Sequence, residues 1–248
     1  MNLVILVEGD AVGDGCYRLN DHRAEHIRTI LRAREGDKVE VGLLNGSMGT
    51  AQISSLSGDE IELTCEELHP PQELLSTDLI CALPRPQTLK KVLITCGMMG
   101  IRRLHLIRAN RVEKSYYQSP LIQPENQLPY LLEGLSQGKL TRLPQVTVHD
   151  RFKVFFEDTF PDLETTETIQ GLRLLASTEA LQNMSDFYDA AVDRVTIAIG
   201  PEGGWVPFEV DLMQQAGFLR FVLGRWVLRV ETAVVSALGQ LDLLRMKS

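Results

Sequence analysis

The sequence predicts a two-part α/β chain: a small β-barrel carrying one helix, then a larger domain built on a mostly parallel sheet. Three observations predict it. Short alternating segments separated by tight turns fill the first 70 residues, and Pro70 and Pro71 then interrupt the chain. Beyond them, strand-like and helix-like patterns take turns to the C-terminus, as parallel strands with crossover helices do.

In the first part, Asn20 or Asp21 offers an N-cap for HRAEHIRTILRAR, a helical pattern with Ile27, Ile30 and Leu31 on one stripe. KVEVGLL, GTAQISS and DEIELTCEEL follow as short strands, parted by NGS and SGDE turns. HPPQE at 69–73 reads as a linker, because successive prolines block helix and ladder alike. The predicted domains are therefore 1–70 and 74–248.

In the second part, DLICAL precedes a helix opened by Pro86, with Leu89, Val92, Leu93, Cys96 and Met99 at helical spacing. RRLHLIRA is a strand, a helix near 125–139 leads to QVTVHD, and a helix near 150–158 leads to GLRLLAS. VTIAIG is a buried strand, VPFEVDLMQQAG a helix and FLRFVLG a strand. ETAVVSALGQLDLLRM closes the chain as a helix, with Val234, Ala237, Leu238, Leu241 and Leu244 along one face.

Composition narrows the function. Apolar content of 44% and 23% charged residues are those of an ordinary globular protein. A net charge of −8 argues against indiscriminate binding to nucleic acid or anionic membranes. No apolar run reaches the roughly 20 residues that cross a bilayer, and MNLVILVEGD makes a poor signal peptide. Cys16, Cys65, Cys81 and Cys96 lie far apart without a CxxC pair, as expected of reduced thiols in the cytoplasm. No metal is expected: His22 and His26 are four apart on one helix but lack a third ligand, and His105 and His149 read as structural. The charge is unevenly spread. Arg85, Lys90, Lys91, Arg102, Arg103, Arg108, Arg111 and Lys114 meet only Glu113, whereas 157–193 is acidic, with Glu157, Glu167 and Asp186 among its carboxylates. A basic region on an acidic protein fits a specific polyanion site, or simply a patchy solvated surface.

Open α/β sheets bind ligands beyond the carboxyl ends of their strands. Three strand ends are candidates: LLAST at 174–178, IAIGPEGGW at 197–205 and VLGRWVLRVETA at 222–233. The glycines of the second allow close backbone approach, although it is neither GxGxxG nor a P-loop. The third is apolar yet carries Arg225 and Arg229, with Glu231 opening a helix. Taken singly, Glu231 has a sufficient role at the helix dipole, and Arg229 a sufficient role paired with Glu231 or Glu202.

Together these stretches are specific. IGPEGGW followed by LGRWVLRVETA resembles the RsmE family, the 16S rRNA uridine-N3 methyltransferases of the SPOUT, or α/β-knot, superfamily. HIRTILRAREGDKVEVGLLNG is similar to that family's PUA-like domain, so the resemblance covers nearly the whole chain. It implies a C-terminal trefoil knot, homodimerisation through the knot domain, and S-adenosylmethionine as cofactor. Carried onto matching positions, the cofactor loops are Leu175, Ala176, Ser177 and Thr178; Ile199, Gly200, Pro201, Glu202, Gly203 and Gly204; and Leu223, Gly224, Val227, Leu228 and Arg229.

The implied chemistry removes the imide proton of uracil N3, leaving charge on O2 and O4 for a fixed cation to stabilise. Arg229 is the expected cation, and Glu231 or Glu202 is expected to orient it or take the proton. Arg28, Arg32, Arg34, Arg85, Arg111 and Arg225 are expected to hold small-subunit rRNA, free or in a subunit, mainly by its phosphates. The chain also departs from the family pattern. Trp226 stands where the family has Arg, Thr95 and Met98 where it has Lys and Glu, Asn110 where it has Glu, and Val206 at the usual Ser/Thr cap. Two alternatives stay open: methylation of a different rRNA or tRNA nucleotide, and a non-catalytic RNA-binding assembly factor.

Overall fold

The computed structural model describes residues 2–73, 76–165 and 171–247. Glu167 of the acidic run and residues 74–75 at the expected domain boundary lie outside them. The N-terminal part is a mixed sheet of six strands: β1 (Val4–Leu6), β2 (Ala11–Gly13), β3 (Cys16–Leu19), β4 (Lys38–Leu43), β5 (Met48–Ser57) and β6 (Glu60–His69). Their spatial order is β1-β4-β5-β6-β3-β2, with β1 parallel to β4 and every other pairing antiparallel. The last three strands follow the sequence reading; the three N-terminal strands are too short for alternation to reveal.

Helix α1 (His22–Thr29) begins as expected, with the Asp21 side chain accepting from the Arg23 N–H. It ends a turn before the apolar stripe does. Arg32 takes a left-handed φ of +52°, and Ile30, expected in the core, is 68% exposed. Ile27 remains buried with Ala24 against Val39, Val41, Ile53 and Ile61.

The C-terminal part is a six-stranded, fully parallel sheet: β7 (Thr77–Ala82), β8 (Arg103–Ile107), β9 (Gln145–His149), β10 (Gly171–Ala176), β11 (Arg194–Ile199) and β12 (Leu219–Phe221). Its order is β12-β10-β11-β7-β8-β9. One face carries α2 (Pro86–Met98), α3 (Pro124–Gly138) and α7 (Val230–Met246), joined to the sheet by Leu93, Leu131, Ile197, Val234 and Leu241. The other carries α4 (Phe152–Val154), a π-helical turn (Phe155–Thr159), α5 (Phe160–Thr165) and α6 (Pro207–Gln215). Two covered faces explain why β7 and β11 are buried along their whole length.

Two local devices set the geometry. Helices α2 and α3 pack backbone to backbone, for a Cβ on Gly97 would lie 2.5 Å from the Leu131 carbonyl oxygen. The two sheets are then joined through α3 and the chain just after it. The Leu3 N–H donates to the Ser136 carbonyl at 2.9 Å, the Asn45 N–H to that of Thr141 at 2.7 Å, and Thr141 Oγ1 to that of Gly46 at 2.7 Å. Leu3, Ile5 and Leu135 form the small apolar cluster beneath.

Candidate active site

Strands β12, β10 and β11 are neighbours, and the chain leaves their carboxyl ends in the three stretches marked by the sequence. These stretches surround a cavity of about 560 Å³. That size suits a ligand pocket of cofactor dimensions. Every cofactor-loop residue expected from the sequence lines it, from Leu175–Thr178 through Ile199–Gly204 to Leu223, Gly224 and Val227–Arg229. Arg111, Trp205, Arg220, Trp226 and Ala233 are among the further lining residues, which sequence reasoning did not assign to the cofactor.

Each loop is held by specific contacts. The Ser177 N–H donates to the Phe221 carbonyl at 2.9 Å, and the Arg220 guanidinium donates to Ser177 Oγ at 2.9 Å and Glu179 Oε2 at 3.0 Å. In the glycine loop, Gly204 has φ of +71°, a conformation that glycine adopts without strain. The Arg111 guanidinium donates to the Gly203 carbonyl, tying the chain after β8 to this loop. Trp205 packs on Phe152 with ring centroids 5.7 Å apart. Its Nε1 is buried, with no hydrogen-bond acceptor among the described residues.

Glu209 is the positioning residue that sequence reasoning missed. It is 2% exposed; one carboxylate oxygen accepts from the Asn110 N–H at 2.6 Å and the other from the Val206 N–H at 3.0 Å. The cap that Val206 cannot supply with its own side chain is thus replaced from the third helical position. The signal was available in V-P-F-E, where a carboxylate stands three residues after the cap.

The acids separate in space. Glu202 lines the cavity, whereas Glu231 does not. Glu231 accepts from Lys91 Nζ of α2 at 3.2 Å, and its own backbone N–H, then Lys91 and Arg229, hold its carboxyl below the ordinary range. Arg229 is the N-cap residue of α7, exposed, and makes no hydrogen bond or ion pair through its side chain among the described residues.

The expected RNA-holding arginines do not form one group. Arg28 is turned to the β5–β6 turn, donating to the Gly58 carbonyl at 2.5 Å and pairing with Asp59 at 3.3 Å. Arg32 and Arg34 are exposed on the N-terminal part, Arg85 is the N-cap residue of α2, Arg111 lines the cavity, and Arg225 stands exposed between the lining residues Gly224 and Trp226. Among the described residues, no cluster of three or more His, Cys, Asp or Glu could hold a metal. The buried His105 and the half-buried His149 instead pair, Nδ1 to Nε2 at 3.1 Å, both packed on Phe155.

A cavity of cofactor dimensions at the strand ends of a parallel sheet is where an α/β protein binds its ligand. The family models give the class: one described as an RNA methyltransferase domain matches residues 71–242, and one described as an RNA methyltransferase PUA domain matches 19–65. The ribosomal RNA small subunit methyltransferase E of Treponema pallidum (strain Nichols) is 32% identical over 94% of this chain and 88% of its own. Its namesake in Synechocystis sp. is 26% identical over 97% of this chain and 77% of its own. The crystal structure of the Neisseria gonorrhoeae ribosomal RNA small subunit methyltransferase E, bound to S-adenosyl methionine, superposes with a TM-score of 0.76 at 19% identity, covering 98% of each chain. The chain belongs to the RsmE family of RNA methyltransferases.

Proposed function

We propose that this chain transfers a methyl group from S-adenosylmethionine to N3 of one uridine in small-subunit rRNA. The observation that carries this reading is the convergence of the three family loops on one cavity with the unpaired Arg229 at its rim. The cavity suits the cofactor. A Cβ on Gly200 would lie 3.0 Å from Trp205 Nε1, so glycine keeps that wall open, and the orphaned Nε1 donor awaits an acceptor. Backbone groups of Leu175–Thr178 and Ile199–Gly204, with apolar Leu223, Val227 and Leu228, would hold the cofactor. When bound, it supplies an electrophilic methyl group on a sulfonium.

The residues of the chain then orient and deprotonate. Arg229 offers its guanidinium to the uracil carbonyl oxygens that gain charge as the N3 proton leaves. Glu202 lines the cavity and takes that proton directly or through water; Glu231, bound to Lys91, fixes the first turn of α7 and so the base of Arg229. The target is unpaired, because Watson–Crick pairing buries N3. Arg85, Arg111 and Arg225 contribute phosphate contacts, whereas Arg28 braces the β5–β6 turn.

The same reading assigns residues 1–70 to RNA binding and 74–248 to a knotted catalytic domain. It makes the chain a homodimer, with Val235, Leu243 and Met246 of α7 supplying exposed apolar surface. It also places the chain in the cytoplasm; no helix among the described residues is long and apolar enough to cross a membrane. The test is mass spectrometry of nucleosides from small-subunit rRNA of cells with and without the protein. Loss of 3-methyluridine is expected on deletion, and an unchanged level would refute the reaction.

A further inference from the structure

Trp226 is 80% exposed and the adjacent Val227 is 85% exposed, the most open apolar pair beside the cavity. Water-exposed indole is unfavourable, and nothing in the local structure requires it. The loop leaves β12 through Gly224 at φ +156° and re-enters the core at Val230, so Trp226 stands at its outer turn. Arg225 and Arg229 flank it, both exposed and without ion pairs among the described residues, and Arg111 stands on the facing wall. On a chain of net charge −8, this places an aromatic plane among cations, at the mouth of the pocket. An aromatic surface bordered by arginines is how proteins hold unpaired bases: the ring stacks on any base face while the cations hold its phosphates.

We infer that Trp226 is a stacking platform for an unpaired RNA base at the entrance to the cavity, with Arg225 binding the flanking backbone and Arg229 kept for the reacting base. The inference rests on the proposed RNA substrate. It gives the Trp226 departure from the family pattern a role: a stacking contact stands in for a guanidinium, and affinity at this point depends less on salt. The occupant is RNA rather than a second copy of the chain, because Arg225 and Arg229 beside the indole are charge-complementary to phosphate.

The chain holds two tryptophans, so the emission of the wild-type chain is compared with that of Trp226→Phe, and the difference is the Trp226 contribution with Trp205 left intact. This difference is followed while adding S-adenosylmethionine alone, a short uridine-rich single strand, or small-subunit rRNA extracted free of protein. Quenching by both RNAs and not by the cofactor is expected. Quenching by the cofactor alone would make Trp226 a cover for the cofactor, and emission that changes with protein concentration alone would put a second copy on it; either overturns the inference. In parallel, Trp226→Ala should raise KM for rRNA by about 5- to 150-fold, the range for loss of a stacked aromatic. Trp226→Phe should recover most of that loss, and the S-adenosylmethionine dissociation constant should stay the same in both variants. An unchanged rRNA KM in Trp226→Ala overturns the inference. If the wild-type chain methylates no rRNA, the proposed reaction fails by itself, while the oligonucleotide quench still reports on stacking.

Discussion

Arg229 lines the cavity and is exposed, and two residues further on Glu231 is bound to Lys91. This arrangement divides the two acids that the sequence could not tell apart. Glu202→Gln should lower kcat, as expected for loss of the group that takes the N3 proton. Glu231→Gln should change kcat only modestly, since it removes one partly exposed ion pair worth at most about 1 kcal/mol. Rates measured from pH 5 to 9 for both variants check this; equal losses would contradict it. Arg229→Ala should lower kcat by about 100- to 1,000-fold, as for removal of one donor to a developing negative charge, with S-adenosylmethionine affinity retained by calorimetry. The site was legible at this scale wherever a backbone requirement marks the sequence. G-P-E-G-G marks itself because Gly200 must leave room for Trp205 and Gly204 takes a left-handed φ. The partners of long side chains were not legible: Arg28 and Glu231 meet Gly58, Asp59 and Lys91, neighbours that tertiary packing sets.

Helix α6 and the chain after β8 are joined by Glu209, whose carboxylate serves both backbones from a buried position. Glu209→Ala leaves the Asn110 and Val206 N–H groups without their acceptor, so a loss of about 1–3 kcal/mol in unfolding free energy is expected. Because Arg111 reaches the glycine loop from the same segment, S-adenosylmethionine should also bind more weakly. Denaturant melts and calorimetry read the two effects, and stability lost without any change in affinity would separate Glu209 from the site. Strands β8 and β9 carry a different constraint. Burial, with lesser help from His149 and the Arg103 and Arg102 charges, pushes the His105 pKa down to about 3, and burial also lowers that of His149. The buried His105 ring folds neutral, so the unfolded chain binds more protons below its ordinary histidine pKa of about 6.5. Stability is therefore full above that pH and falls as pH drops below it, by up to about 1.4 kcal/mol per pH unit from His105. NMR titration should show the His105 ring neutral at pH 5 while the melting temperature declines from pH 7 to 5; a ring titrating near 6.5 would contradict this. Long elements were legible because 3.6-residue and two-residue periods survive in α7, β4 and β6. The end of α1 was not, since Arg32 turns left-handed without a glycine to announce it.

Two sheets and their junction make the whole molecule. The alternation of strands and helices revealed a parallel sheet, and the loops at its strand ends marked the residues that line the cavity. The strand order β12-β10-β11, which brings three distant loops to one cavity, lies in no local pattern. Nor does the docking of Leu3 and Asn45 on Ser136 and Thr141, which orients the PUA-like sheet against α3 through single hydrogen bonds. Electrostatics at this scale favour selectivity: a net charge of −8 opposes general attraction to a polyanion, and unrelated RNA should bind weakly at physiological salt. The central claim is that these loops deliver a methyl group to uridine N3 with Arg229 at the reacting base. The most direct test incubates the purified chain with methyl-labelled S-adenosylmethionine and small-subunit rRNA from cells lacking the protein, then separates the digested nucleosides. Label in 3-methyluridine, reduced at least about 100-fold by Arg229→Ala, is the result predicted; label in another nucleoside, or equal label from the variant, would contradict it.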